Sequence, residues 1–180
     1  CAELVRPDGT ASARAEVWLE DAVAQAPERQ GQRIMNPDHV APKACVEHWS
    51  YLQQQGCHAV RYRWGDENAM RSYLRDYSLM PELLQGTGGG FANMSFILGI
   101  SNWVLASNAY MNPWVHLETT SQNFAPIPAG TSVVAEMMVR EFYKKKGHEF
   151  VDVDVALFNE SDDTCVATMA LRAIYRLRGA

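Results

Sequence analysis

One stretch of this chain, residues 91–106, is apolar for most of its length and carries no charged side chain. It is too short to span a membrane and is interrupted by Asn93, Ser95, Ser101 and Asn102, so we predict a buried helix. Apolar residues lie nearly all round this helix, which predicts that other elements enclose it. Four small residues recur on one face at helical spacing and allow close approach of another backbone: Ser95, Gly99, Asn102 and Ala106.

The sequence after this helix alternates between apolar and polar residues in a way that predicts four strands. Consecutive strands joined by short turns form an antiparallel meander, and the apolar face of that sheet needs the helix as its cover. The predicted fold class is therefore α+β, a long central helix wrapped by a curved antiparallel sheet. The predicted strands span residues 114–120, 131–142, 149–158 and 164–177.

The first half of the chain has weaker patterns, and we divide the chain at residue 56. Residues 1–56 are predicted to form an N-terminal hairpin and a linker, and residues 57–180 the main domain. Along the chain we predict a turn at 7–9, a strand at 13–19, a Gln- and Pro-rich linker at 22–56 with a short helix at 45–54, a strand at 57–63, a helix at 66–77 and a glycine-rich loop at 86–90.

Composition and charge exclude several classes of function. The formal net charge is -5 and both signs are scattered along the chain, so no basic stripe is present to follow nucleic acid. The four cysteines, Cys1, Cys45, Cys57 and Cys165, have no metal-ligand spacing and form no disulfide framework, which fits a reducing cytoplasm. We expect no cofactor, no metal, a cytoplasmic location, and neither a membrane nor nucleic acid as partner.

Three segments late in the chain are Asn112-Pro113-Trp114-Val115-His116, residues 146–155 and Ala173-Ile174-Tyr175-Arg176-Leu177. They look like the final strands of MaoC-like acyl dehydratase domains. The resemblance covers residue 57 to the end, and it implies a hot-dog fold and thioesters of coenzyme A or of an acyl-carrier protein as substrates, with water added or removed next to the thioester carbonyl. Residues 6–21 also resemble a late hairpin of a preceding hot-dog half, which would make the chain the C-terminal part of a double hot-dog protein.

Active members of the family carry Asp-x-x-x-x-His-Asn-Pro before the central helix, and the Asp and His together activate a water. In this chain the matching segment begins at Asp76, and Pro81 occupies the histidine position. A lone aspartate does not supply a base near neutral pH without strong perturbation, which argues against the usual reaction. Asp76 is the candidate catalytic residue, and a helix cap or a solvated carboxylate is its alternative role.

Binding of a thioester does not need that pair. The backbone N–H groups of Gly88, Gly89 and Gly90 are candidates to polarise the thioester carbonyl, with Phe91 and Asn93 completing the binding residues. The same glycines also suit a tight turn that lets the helix enter the sheet.

Another pair with chemical potential lies on the first strand after the helix. His116 and Glu118 are two residues apart, so on a regular strand they share a face and form a possible acid–base pair. The alternative is a solvent-facing cross-strand pair, with Val115 and Leu117 as the buried set.

Three functions fit these observations. The first is an acyl-thioester-binding hot-dog protein of MaoC-like hydratase or dehydratase type, assembled as a homodimer or a double hot-dog. The second is an acyl-CoA thioesterase. The third is a non-catalytic hot-dog half that supports a catalytic partner. A His or carboxylate within hydrogen-bond reach of the Gly89 and Gly90 amides would favour catalysis.

Overall fold

The computed structural model describes residues 2–15, 25–65 and 91–179 of the chain. The helix predicted at 66–77 and the part of the first predicted strand beyond residue 15 lie outside the described residues. None of the described helices is long and apolar enough to cross a membrane. The described elements are β1 (Ala2–Val5), β2 (Ala11–Ala15), α1 (Val46–Gln55), β3 (Val60–Arg63), α2 (Met94–Asn108), β4 (Val115–Asn123), β5 (Ser132–Lys145), β6 (His148–Asn159) and β7 (Cys165–Arg176).

Strands β3 to β7 form one antiparallel sheet in the order β3-β5-β6-β7-β4, and β1 pairs with β2 in a separate sheet. Strands β5, β6 and β7 form a meander, as predicted. The turn between β5 and β6 is tight because Lys146 and Gly147 both adopt positive φ angles, 51° and 82°, which suits a two-residue hairpin loop.

The position of β4 differs from the prediction. It pairs with β7 and not with β5, so the four strands are not one continuous meander. Residues 124–131 link β4 to β5, and this segment is longer than a hairpin loop. Its length lets the chain cross from one edge of the sheet towards the other.

The core lies between the inner face of α2 and one face of the sheet. On α2 the buried apolar residues are Phe96, Ile97, Ile100, Val104 and Leu105. The apolar alternation predicted for the last two strands is confirmed, because these residues belong to the core: Val151, Val153, Val155, Leu157, Ala167, Met169, Leu171 and Ala173. The predicted α+β hot-dog class, a central helix packed against an antiparallel sheet, is confirmed.

The other face of the sheet carries paired charges. The guanidinium of Arg172 binds the carboxylate of Asp152 through two nitrogens, with donor–acceptor distances between 2.7 and 3.2 Å. Arg140 binds Asp154 at 3.0 Å. The sheet therefore has one apolar face for the core and one polar face, as expected for an antiparallel sheet covered on one side.

Ser95, Gly99, Asn102 and Ala106 lie together along α2 and are named here the open flank. Ser95 and Ala106 are exposed, and Gly99 and Asn102 are half-buried. Within the part of the chain that the structure describes, this face is therefore not covered, and the helix is not enclosed there as predicted. Small side chains contribute little apolar area, so the open flank loses little hydrophobic stabilisation by facing outward.

Helix α1 belongs to the same core as α2. Its Trp49 and Leu52 are buried within the main apolar cluster. The thiol of Cys45 caps the helix by accepting the His48 N–H at 3.4 Å. The side chain of Asn108, at the end of α2, accepts the N–H of His58 at 2.8 Å and donates to its carbonyl at 2.9 Å.

The segment before α1 is held against the sheet by one buried carboxylate. Glu136 on β5 accepts the backbone N–H groups of Gln30 and Gln32, both at 2.8 Å. The guanidinium of Arg29 lies 3.6 Å from the same carboxylate. A buried charge is tolerated when it is paired and hydrogen-bonded, and these three groups provide that compensation.

We expect Trp49→Ala to lower the free energy of unfolding by about 3–5 kcal/mol, because it removes a large side chain that is fully buried in the core. Tyr51→Ala is the matched control on the same helix, since Tyr51 is 55% exposed and its loss should cost well under about 1 kcal/mol. Urea denaturation of both variants measures the difference. Equal losses would contradict the packing of α1 described above.

Candidate functional site

The start of α2 is fixed by its cap and by the loop between β4 and β5. Asn93 is the N-cap, and its Oδ1 accepts the Phe96 N–H at 2.9 Å. One residue earlier, the Ala92 N–H donates to the Ile127 carbonyl at 2.8 Å. The helix therefore begins at Met94, four residues after Gly90, and not directly at the glycine loop.

The predicted site residues fall partly outside the described residues. Asp76, Gly88, Gly89 and Gly90 all lie there. Phe91 is described and is 56% exposed, so its ring is accessible to a ligand.

Asn93 is the other described member of the predicted site. Its Oδ1 is engaged in the helix cap, which leaves the amide NH₂ as the group suited to contact a ligand.

A second group of polar side chains forms beside the open flank. Nδ1 of His116, on β4, lies 2.8 Å from Oδ1 of Asn102 on α2. Nε2 of the same ring lies 2.6 Å from Oγ1 of Thr119. Both ring nitrogens are thus engaged, one by a helix residue and one by a residue of its own strand. The indole of Trp114 lies nearly parallel to the imidazole, with ring centroids 6.4 Å apart.

A β-bulge in β4 creates this arrangement. The register with β7 shifts between His116, which faces Ala173, and Glu118, which faces Arg172. Leu117 is the extra residue. On a regular strand, residues three apart point to opposite faces, but one inserted residue brings His116 and Thr119 to the same face.

The proposed pairing of His116 with Glu118 is therefore wrong. The imidazole contacts Asn102 and Thr119, whereas the Glu118 carboxylate lies 3.6 Å from the guanidinium of Arg172. The alternative of a cross-strand pair holds for Glu118. Val115 and Leu117 are 38% and 47% exposed, so they are not the buried set.

Sequence reasoning noted Asn102 and His116 separately and missed Thr119. A His and a Thr at this spacing would normally lie on opposite faces of a strand, which hides the contact. Residues 115–118 alternate as in a regular strand, so the sequence carries no signal of the bulge.

Two of the described cysteines, Cys57 and Cys165, are poor nucleophiles. Burial raises the pKa of the Cys57 thiol to about 12, and burial also raises the pKa of Cys165. Thiols in such surroundings stay protonated and inert. Among the described residues no group of three or more His, Cys, Asp or Glu side chains is arranged to hold a metal ion.

The polar face of the sheet has a cleft of about 130 Å³, lined in part by Glu118, Thr120, Arg140, Asp152 and Arg172. It is smaller than the several hundred Å³ typical of small-molecule sites. Its arginines are paired with carboxylates, so the cleft offers no uncompensated charge for a ligand.

Comparison with known proteins gives structural likenesses only. No family model matches the chain, and no curated protein matches it. The E. coli PaaI protein from the phenylacetic acid degradation operon aligns with a TM-score of 0.40 and 17% sequence identity. The alignment covers 48% of this chain and 60% of the PaaI protein.

Two further structures cover more of the chain. An (R)-hydratase from A. caviae involved in PHA biosynthesis aligns with a TM-score of 0.47 and 14% sequence identity, and the alignment covers 64% of this chain and 91% of the hydratase. The HadBC (3R-hydroxyacyl-ACP dehydratase) complex of Mycobacterium tuberculosis aligns with a TM-score of 0.46 and 15% sequence identity, and the alignment covers 63% of this chain and 89% of the matched chain. With every TM-score below 0.5, these likenesses assign neither a family nor a function.

We expect the neutral ring of His116 to carry its proton on Nδ1, because its partner Asn102 Oδ1 can only accept. His148 is an internal control with the opposite tautomer, because its Nδ1 accepts the Arg178 N–H at 3.1 Å and must be unprotonated. Long-range ¹H–¹⁵N NMR correlations distinguish the two tautomers. Asn102→Leu should move His116 towards the Nε2–H form without changing His148. Identical tautomers for both rings would contradict the described contacts.

Proposed function

We propose that this chain binds an acyl thioester, carried by coenzyme A or by an acyl-carrier protein, along the open flank of α2. The observation that carries the proposal is the contrast between the two sides of this helix. Its inner face is packed into the core, whereas the open flank has small side chains and exposed apolar residues at its start, Phe91 and Met94. An acyl chain laid against this flank would gain about 0.8 kcal/mol for each CH₂ group that it buries.

We assign the thioester carbonyl to the region of Gly88, Gly89 and Gly90, which directly precede Phe91 in the chain. Backbone N–H groups that are free of other partners polarise a carbonyl oxygen efficiently. The amide NH₂ of Asn93, whose Oδ1 is used as the helix cap, supplies an additional donor at the same end of the helix.

The MaoC-like resemblance of residues 57–180 makes hydration or dehydration of the acyl chain the first candidate reaction. Asp76 would then act as the base, and Pro81 in the histidine position is the main argument against this reaction. We therefore propose thioester binding as the primary function. Thioester binding would take one of two forms. In the first, Asp76 turns over the bound thioester. In the second, the chain is non-catalytic and supports a catalytic partner.

We further propose that two copies associate. β4 exposes the apolar side chains of Val115 and Leu117, so this surface is suited to cover by a second copy, while the open flank of α2 stays available to the acyl chain. Light scattering of the purified chain should give twice the monomer mass. A clean monomer at micromolar concentration would contradict this proposal.

Calorimetric titration with a non-hydrolysable thioether analogue of acyl-CoA tests the binding proposal. We expect saturable binding that tightens with acyl chain length, and no such trend with coenzyme A alone. Gly99→Leu should weaken binding of the longest analogue, because the larger side chain fills the open flank. Lys144→Leu, on the exposed end of β5, is the control and should leave binding unchanged. Absence of binding at every chain length would overturn the proposal.

The role of Asp76 is tested on the same analogue and on an enoyl thioester. If the site only binds, Asp76→Asn should leave the affinity nearly unchanged, whereas Gly89→Val should weaken it by crowding the backbone near the carbonyl. We expect this pattern. Robust hydration by the native chain that is abolished in Asp76→Asn would instead establish Asp76 as catalytic, because an amide cannot accept the proton.

A further inference from the structure

We propose that Asn102, His116 and Thr119 form a relay that makes the Thr119 hydroxyl a nucleophile for acyl transfer. The inference takes its substrate class from the proposed function, and adds a reaction that Asp76 does not perform. The reaction is transfer of the acyl group from a thioester or an activated ester to Thr119, followed by hydrolysis.

The directions of the hydrogen bonds support this assignment. Oδ1 of Asn102 only accepts, so in the neutral imidazole the proton lies on Nδ1, and Nε2 presents its lone pair. Thr119 Oγ1 lies 2.6 Å from Nε2 and donates its hydroxyl proton to that lone pair. A hydroxyl bonded to a base that is oriented by a third group is the arrangement of activated nucleophiles in unrelated folds.

The covalent step balances within these groups. Thr119 Oγ attacks the carbonyl carbon while its proton passes to Nε2 of His116. The carbon–sulfur bond then breaks, and the leaving thiolate takes that proton, which leaves an acyl ester on Thr119 and a free thiol. In the second step His116 accepts a proton from water as the water attacks the ester, and the threonine oxygen recovers the proton when the carboxylic acid leaves.

The fold fixes each member of the relay on a rigid element. Asn102 is half-buried on α2 and belongs to the open flank. An ester or thioester that enters the flank beside Asn102 brings its carbonyl to the relay, a second position for the carbonyl besides the one assigned to the region of residues 88–90. The bulge at Leu117 turns His116 and Thr119 to the same side of β4. Among the described strands β4 lies at the sheet edge, so every second N–H of β4 points away from β7 and is a donor for the developing oxyanion.

Competing assignments for this group are weaker. Glu118 is held near Arg172, so it does not reach the imidazole as a base. Direct activation of water by His116 would require the Thr119 hydroxyl to leave Nε2, since that hydroxyl occupies the lone pair. The nucleophile is therefore Thr119 and not a water molecule.

The test uses the full chain and p-nitrophenyl acetate, a small activated ester that does not need the acyl-binding flank. We expect release of p-nitrophenol together with an acetyl group on Thr119, located by peptide mass spectrometry. Thr119→Val, which keeps the shape and removes the hydroxyl, should abolish this adduct, and Thr119→Ser should retain it. Thr120→Val is the matched control, because Thr120 is the neighbouring exposed hydroxyl and lines the cleft on the polar face.

His116 and Asn102 are tested by their effects on the acylation rate. His116→Gln should lower it by about 100-fold or more, the usual range for loss of a general base. Asn102 acts as a positioning residue. Asn102→Asp keeps an acceptor, so it should retain both the Nδ1–H tautomer of His116 and the acylation of Thr119. Asn102→Leu removes the acceptor, so His116 should shift away from the Nδ1–H tautomer and the acylation rate should fall. Circular dichroism checks that each variant is folded.

Each other outcome is decisive. An adduct that persists in Thr119→Val, or that forms on a lysine, overturns the relay as a nucleophilic site. Hydration of an enoyl thioester that needs His116 but not the Thr119 hydroxyl overturns it as well, in favour of His116 acting on water. Acylation of Thr119 without any binding of thioether analogues would support the relay and contradict the proposed function. Binding of those analogues without acylation of Thr119 would support the proposed function and contradict the relay.

Discussion

The large side chains on the inner face of α2 are buried against the apolar face of β5, β6 and β7, and each partner depends on the other. Without the helix, the alternating valines of β6 would face water. Without the sheet, a helix whose three serines and two asparagines are nearly its only polar side chains would have no apolar surroundings. The buried polar groups of α2 are consistent with this arrangement. Ser101 donates to the Leu98 carbonyl, and Asn108 binds His58 and the Val104 carbonyl. Such internal satisfaction is required where water is excluded.

Sequence patterns predicted the parts of the fold that depend on this burial. The period of two in β6 and β7 and the apolar run of α2 each follow from contact with a single core, so they are visible in the residues themselves. The position of β4 was not visible, because strand order depends on which edge a connecting loop reaches and not on side-chain periodicity. The length of residues 124–131 is the relevant feature, and its consequence is clear only when the sheet is complete.

The candidate site was less predictable for a related reason. The resemblance to a family motif indicated Asp76, and the backbone N–H groups of a glycine run indicated Gly88, Gly89 and Gly90, but all four lie outside the described residues. No spacing rule located Thr119. The bulge at Leu117 breaks the period of two on which reasoning about strands depends. Regular alternation therefore indicates Glu118, its neighbour on an ideal strand, as a possible partner of His116. One inserted residue exchanged that partner for Asn102 and Thr119 and sent Glu118 to Arg172 on the polar face.

The relay and the open flank occur where the sheet and helix stop covering each other. The strands that cover α2 closely have regular registers for most of their length, and their facing residues are buried. β4 lies at the edge, pairs on one side with β7, and is largely exposed along its length. An edge strand tolerates a bulge at low cost because few core contacts are displaced, and a bulge redirects side chains. Small residues on the facing helix then give the imidazole room to reach Asn102. Because apolar packing is lost on this side, polar groups can meet there and engage both ring nitrogens of His116. For the same reason, the open flank of α2 stays accessible to a ligand.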